Sequence, residues 1–262
     1  MRKYLFFLTA ATVLLTTSAC NKQKKEVTSK VNETDAVATS VTDNLKAEEE
    51  VLYDKTDLTA FGLKGHVKKV VTKYYAAHSK GDKLVSDSLL EGSEDQVMTF
   101  AENGLVTRDA FDNPYVYDKD GKFIEGRSKV SKMKRDAKKR IVSYENRESQ
   151  NHWEGYNYEF TYDAAGRIAS YNYVGWEEIF EYTYTFDGDN LYPSSQAMDG
   201  QATADLFKYE TLFRYTRLDD KGNWLERECW ENQQEGIDDS SDNPTMESTK
   251  VYRIEKREIT YY

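Results

Sequence analysis

Tyr156, Tyr158, Phe160 and Tyr162 alternate one for one with Asn157, Glu159 and Thr161, and Tyr182, Tyr184 and Phe186 do the same against Glu181, Thr183 and Thr185. Period two sends successive side chains to opposite faces of a strand. A helix would need apolar residues three and four apart, which these windows lack. Clean alternation of large aromatics with polar residues predicts antiparallel strands, one face buried and one wet.

Between such runs a short unit recurs. Its clearest copy is Phe160-Thr-Tyr162-Asp163-Ala-Ala-Gly166-Arg167-Ile168. Variants are Tyr117-Asp118-Lys-Asp120-Gly121-Lys122-Phe123 and Leu218-Asp219-Asp-Lys-Gly222-Asn-Trp224. Phe100-Ala-Glu-Asn103-Gly104-Leu105 is another, Met133-Lys-Arg-Asp136-Ala-Lys-Lys139-Arg-Ile141 is degenerate, and Phe186-Asp187-Gly188-Asp-Asn190-Leu191 is weaker. The Asp side chain can bond backbone two residues on. The Gly three residues later can take the left-handed conformation of a type I turn with a following bulge. Asp118, Gly121, Asp163, Gly166, Asp219 and Gly222 are therefore expected as turn residues. The prediction is an all-β domain of roughly ten strands, an antiparallel meander of hairpins forming either an open twisted sheet or a partly closed barrel.

The 160–168 copy resembles the YD signature of the rearrangement-hotspot (RHS) repeat family. Asp220-Lys-Gly222-Asn223-Trp224-Leu-Glu-Arg227, Arg257-Glu-Ile259-Thr-Tyr261-Tyr262, and Gly65-His66-Val67-Lys-Lys-Val70 after Phe61-Gly-Leu63 are similar to uncharacterised lipoproteins of the Bacteroidetes. The resemblance spans residues 58–262 loosely. It implies a hairpin meander and no catalytic residue; the closed toxin-holding shell of large RHS proteins needs a longer chain with more regular repeats.

The residues before Tyr53 have another composition. Arg2 and Lys3 precede an apolar run, Tyr4 to Leu15, too short to span a bilayer and readable as a signal peptide over residues 1–19. Thr17-Ser18-Ala19-Cys20 resembles the lipobox of bacterial lipoproteins, although Thr17 stands where leucine is usual. The resemblance implies diacylglycerol and an N-acyl chain on Cys20, membrane attachment through that lipid, and an outer-membrane address in a Gram-negative cell envelope, on a face the sequence leaves open. No aromatic residue occurs between Phe7 and Tyr53. Residues 20–52 thus read as a lipidated cysteine and flexible tether with a mean reach of roughly 30 Å. The 20 tyrosines, Tyr4 apart, and all four tryptophans fall in a single domain over 53–262.

The chain carries a net charge of −10, and more negative charge once Arg2 and Lys3 are removed. Such a chain repels nucleic acid, whose binding rests on phosphate neutralisation. Cys229 is left without a partner if Cys20 is acylated, and is expected as a small buried apolar residue. His66, His78 and His152 lie far apart and outside metal-ligand spacing, and no metal site is expected. Asp118-x-Asp120-Gly121 lacks the downstream carboxylate of a calcium loop. Glu177 and Glu178 point to opposite faces if on a strand, so they are not a glycosidase pair. Glu231 to Glu247, without Lys or Arg, reads as a long acidic loop. Asp87-Ser88-Leu89 resembles a Bacteroidetes O-glycosylation site.

Trp153, Trp176, Trp224 and Trp230 are the candidate binding surface, since aromatic planes suit sugar rings and peptide side chains, although a thin sheet also needs such residues for its core. No catalytic set is visible. The expected function is a non-catalytic, lipid-anchored envelope protein presenting a β-sheet surface for binding or scaffolding. The alternatives are a glycan-binding or glycan-processing lipoprotein, and an assembly partner that docks another envelope protein by strand addition.

Overall fold

The computed structural model describes residues 57–110, 112–125, 130–147, 155–237 and 244–262. Residues 1–19 and 20–52, expected as signal peptide and tether, lie outside the described residues, as do Cys20, His152 and Trp153. A one-turn helix, α1 (Asp57–Ala60), precedes thirteen strands: β1 (Val67–Lys80), β2 (Lys83–Leu89), β3 (Gln96–Phe100), β4 (Val106–Arg108), β5 (Val130–Arg135), β6 (Ile141–Arg147), β7 (Gly155–Tyr162), β8 (Ile168–Val174), β9 (Glu178–Thr185), β10 (Ser195–Ala202), β11 (Asp205–Leu218), β12 (Trp224–Ile237) and β13 (Met246–Tyr261). The expected number was about ten. Short strands such as β4, three residues long, carry too little alternation to be seen in sequence.

All thirteen strands belong to one antiparallel sheet, in the order β4-β3-β1-β13-β12-β11-β10-β9-β8-β7-β6-β5. β5 to β12 form the expected meander. One edge of β1 is shared: Lys69–Thr72 pairs with β3, and Tyr75–Lys80 with β2. Its other edge pairs with β13 from Val67 to Ala76. The ladder does not close, so the architecture is the open twisted sheet rather than the barrel.

Aromatics fill the curled inner face in register. Tyr144 stacks on its cross-strand partner Tyr158 at 4.5 Å, and Tyr171 on Tyr182 at 4.4 Å, ring planes 5° apart. Cross-strand pairs of this kind are the unit of sheet stabilisation, each about 0.2–1 kcal/mol. Leu58, Leu63, Val67, Val70 and Phe100 continue the core around α1.

The turn chemistry is as the sequence implies. Gly121, Gly166 and Gly222 have φ of 76°, 87° and 81°, and Gly104 has 78°. In the 163 copy the Gly166 N–H donates to the Asp163 carbonyl (3.1 Å), and Asp163 N–H to the Arg167 carbonyl (3.0 Å). Asp163 Oδ1 accepts the Arg167 N–H at 2.9 Å; Asp118 and Asp219 do the same for Lys122 and Asn223. The degenerate copy keeps this geometry with Lys139 in the glycine slot at φ 65°. A further copy runs from Asp109 to Asn113, with Asp112 in that slot at φ 63°.

Side chains span the gap between the edge strands β4 and β5. Asp57, buried in α1, accepts the Val106 N–H of β4 at 2.9 Å and both Nη1 and Nη2 of Arg135 on β5, at 2.7 and 3.0 Å. Beside it, buried Asp109 accepts from Tyr115 Oη (2.7 Å), Tyr144 Oη on β6 (3.0 Å) and Asn113 Nδ2 (3.1 Å). The sheet is open as a ladder and bridged as a set of polar contacts.

Candidate functional site

The described tryptophans do not gather into one surface. Trp224 is 2% exposed, so it is corrected from binding surface to core. Leu218 pairs with Trp224 across the β11–β12 turn, and bulges there rotate Trp224 inward. Trp176 is 69% exposed at the β8–β9 turn. Trp230 is half-buried in mid-β12. Its row crosses β9 at Thr185, six residues from Ile179, so Trp176 sits roughly 20 Å or more away.

Trp230 is the centre of an outer-face strip. On β11 and β12 the buried residues Thr211, Cys229 and Glu231 point inward, so Leu212 and Trp230 point outward. Register aligns Ser195, Leu212, Trp230 and Tyr252 on four adjacent strands. Leu212 is 63% exposed, and Trp230 meets Tyr252 edge to face, centroids 5.3 Å apart. The next row, Ala197, Glu210, Asn232 and Lys250, supplies polar groups. Together they line a shallow groove of about 500 Å³.

The inner face of β12 and β13 holds a buried polar seam. Glu255, 2% exposed, accepts from Arg227 Nε (2.8 Å) on Oε2 and from Arg253 Nε (2.9 Å) on Oε1. Burial pushes its carboxyl up, but the charges of Arg227 and Arg253 and their hydrogen bonds outweigh this and hold it down at about 2. Arg253 Nη1 also donates to Glu231 Oε2 (2.7 Å), which accepts from Thr211 Oγ1 at 2.8 Å as well. The Arg257 guanidinium lies 3.7 Å over the Trp224 ring, and that of Arg227 4.6 Å over the same ring. Arg257 is half-buried, with Nε and Nη1 shut off from water and without a hydrogen-bond partner. Burial first, and then the charge of Arg227, lower its pKa to about 9.

This seam lines an inner cavity of about 80 Å³ together with apolar residues that include Phe61, Met98, Ile168 and Phe186. A smaller cavity of about 30 Å³ adjoins it, sharing Phe61, Ile168 and Tyr184. Sequence reasoning missed the seam because on these strands Arg and Glu read as exposed charge. The available signal is Cys229 and Trp224 among them, apolar residues marking the face as buried.

Cys229 is fully buried; burial drives its thiol well up, and Sγ donates to Glu255 Oε1 at 3.3 Å. His78 Nδ1 is 2.9 Å from Asp87 Oδ1, and His66 Nε2 is 2.6 Å from the Glu102 carbonyl. Ser88 is exposed on β2. Glu177 accepts from Thr203 at the β10–β11 turn. The stretch from Glu231 is corrected from loop to strand over its described part: β12 continues to Ile237 and β13 begins at Met246, with Glu231 opposite Val251 in the ladder and ion-paired diagonally to Arg253, while residues 238–243 lie outside the described residues. Among the described residues no group of three or more His, Cys, Asp or Glu is placed to hold a metal ion, and no helix is long and apolar enough to cross a membrane. No protein-family model matches the chain, and no curated protein matches it significantly.

Proposed function

We propose that this chain is a lipid-anchored cell-envelope protein that presents the outer face of its sheet for binding or scaffolding, with no reaction of its own. The observation that carries the reading is the Leu212–Trp230–Tyr252 strip, an apolar row across three adjacent strands of the outer face. Large apolar side chains left in water on a regular sheet mark a contact site when they are contiguous. The anchor rests on the sequence through Cys20, and the hairpin meander is the feature shared with RHS-type repeats.

Metabolic labelling with a clickable palmitate analogue tests the anchor. The full chain should take the label, and Cys20→Ala should not; an unlabelled full chain would remove the lipid from the proposal.

The glycan-binding alternative is favoured by the edge-to-face Trp230–Tyr252 pair beside Asn232 and Lys250, since an aromatic plane flanked by polar groups suits a sugar ring. A glycan array probed with the full chain and with Trp230→Ala separates the two. Signal lost in the variant assigns the strip to carbohydrate, whereas a blank array leaves the scaffolding reading in place.

A further inference from the structure

The inner seam carries one more positive than negative charge. Arg227, Arg253 and Arg257 stand against Glu255 and Glu231, and both carboxylates are taken up by Arg227 and Arg253. Glu228, the other buried carboxylate of β12, points to the opposite face and pairs with Arg214 there. The nearest neutral groups are engaged too: Tyr74 Oη donates to Gln96 Oε1. The excess charge is therefore that of Arg257, whose Nε and Nη1 lack partners. A guanidinium keeps its proton, and donor nitrogens shut off from water without an acceptor cost free energy that an anion placed against them would recover.

We propose that the inner cavity binds a small monoanionic carboxylate with an apolar tail, its carboxylate on Arg257 and its tail against Phe61 and Ile168. One negative charge balances the seam, where a dianion would reverse it. A guanidinium fork matches a planar carboxylate. Beyond the seam the lining includes apolar surface from Phe61, Met98, Ile168 and Phe186, and it runs on into the adjoining cavity through Phe61, Ile168 and Tyr184. The site lies on the inner face, separate from the outer strip, so it stands or falls independently of the proposed function.

The test titrates the purified full chain with hexanoate, acetate, inorganic phosphate and hexylamine at constant ionic strength, reading Tm and tryptophan fluorescence. Hexanoate should raise Tm saturably and perturb the Trp224 emission, with half-saturation at least about tenfold below that of acetate, because its methylenes leave water. Hexylamine, with the same tail and the opposite charge, should do neither. Arg257→Met removes the charge at similar length; it should keep or raise the Tm of the ligand-free protein and abolish the hexanoate response. If the variant does not fold, the contrast between hexanoate and hexylamine on the parent chain still decides. No saturable response to hexanoate, an equal response to hexylamine, or saturation by phosphate with hexanoate inert would each overturn the proposal.

Discussion

The guanidinium of Arg167 lies 4.1 Å over the ring of Phe186 and joins one hairpin turn to the next. Its Nε donates to Asp163 in its own turn (2.6 Å), and Nη1 reaches the Gly188 and Asn190 carbonyls of the next, both at 2.7 Å. Arg140 repeats the device one hairpin earlier, 4.1 Å over Tyr162 and paired with Asp136. Arginine following the glycine slot thus holds the aromatic that precedes the next aspartate. Arg167→Ala should destabilise the protein by about 2 kcal/mol, and Arg167→Lys should recover less than half of that, since lysine lacks the fork. Urea denaturation measures both.

Backbone strain differs between copies of the turn. A Cβ added to Gly166 would meet only Arg140 Nη1, at an ordinary 3.8 Å, so Gly166→Ala isolates the cost of φ 87° and should lower stability by about 1–2 kcal/mol. Lys139 occupies the same slot at φ 65° with an exposed side chain. Lys139→Gly should therefore raise stability, by up to about 1 kcal/mol after the added freedom of the unfolded chain is deducted. An unchanged Tm in both variants would reject the turn assignment.

Asp57 ties β4 to β5 across the open side of the ladder. Asp57→Asn keeps the shape but removes the charge opposite Arg135 and one acceptor for its paired donors. A loss of about 3 kcal/mol is expected. Hydrogen exchange should show the early loss of protection confined to β4 and β5, which are free to part while the meander persists.

Two buried carboxylates titrate in opposite senses. Glu255, held down at about 2 against an ordinary 4.5, contributes stability that is present above about pH 4.5 and lost as pH falls toward 2, on the order of 3 kcal/mol in all. Burial raises Asp109 above its ordinary 3.8 in spite of the hydrogen bonds it accepts, so its contribution falls as pH rises from that value. Carboxyl 13C titration by NMR should place the two on opposite sides of the ordinary range. A shallower acid limb in Glu255→Gln, against a steeper one in the parent, is the corresponding unfolding result.

The strands and turns were readable because their causes are local. Alternation around Tyr158 and Tyr182 sets which face is buried, and Asp163 with Gly166 sets the turn. The Asp109 turn escaped because its left-handed slot holds Asp112, a residue that tolerates the conformation without announcing it. The inner seam escaped for a different reason. Arg227, Glu255 and Arg257 are brought to one face by pairing between β12 and β13 and by the bulges near Trp224. Arg253, Glu255 and Arg257 share a face of β13 by simple alternation, but Arg227, whose charge completes the seam, lies 28 positions before Glu255 and reaches it only through strand pairing. The same holds for Asp57 and Arg135, which are 78 positions apart.

The position of β13 has a consequence for the order in which the molecule can be made. β13, the last described strand, lies between β1 and β12, so the two halves of the sheet share no ladder until it arrives. A chain emerging from a ribosome or crossing a membrane amino end first holds β1 with a bare edge while eleven further strands accumulate. A stop codon before Met246 therefore does not trim this protein; it leaves two sheets with no ladder between them.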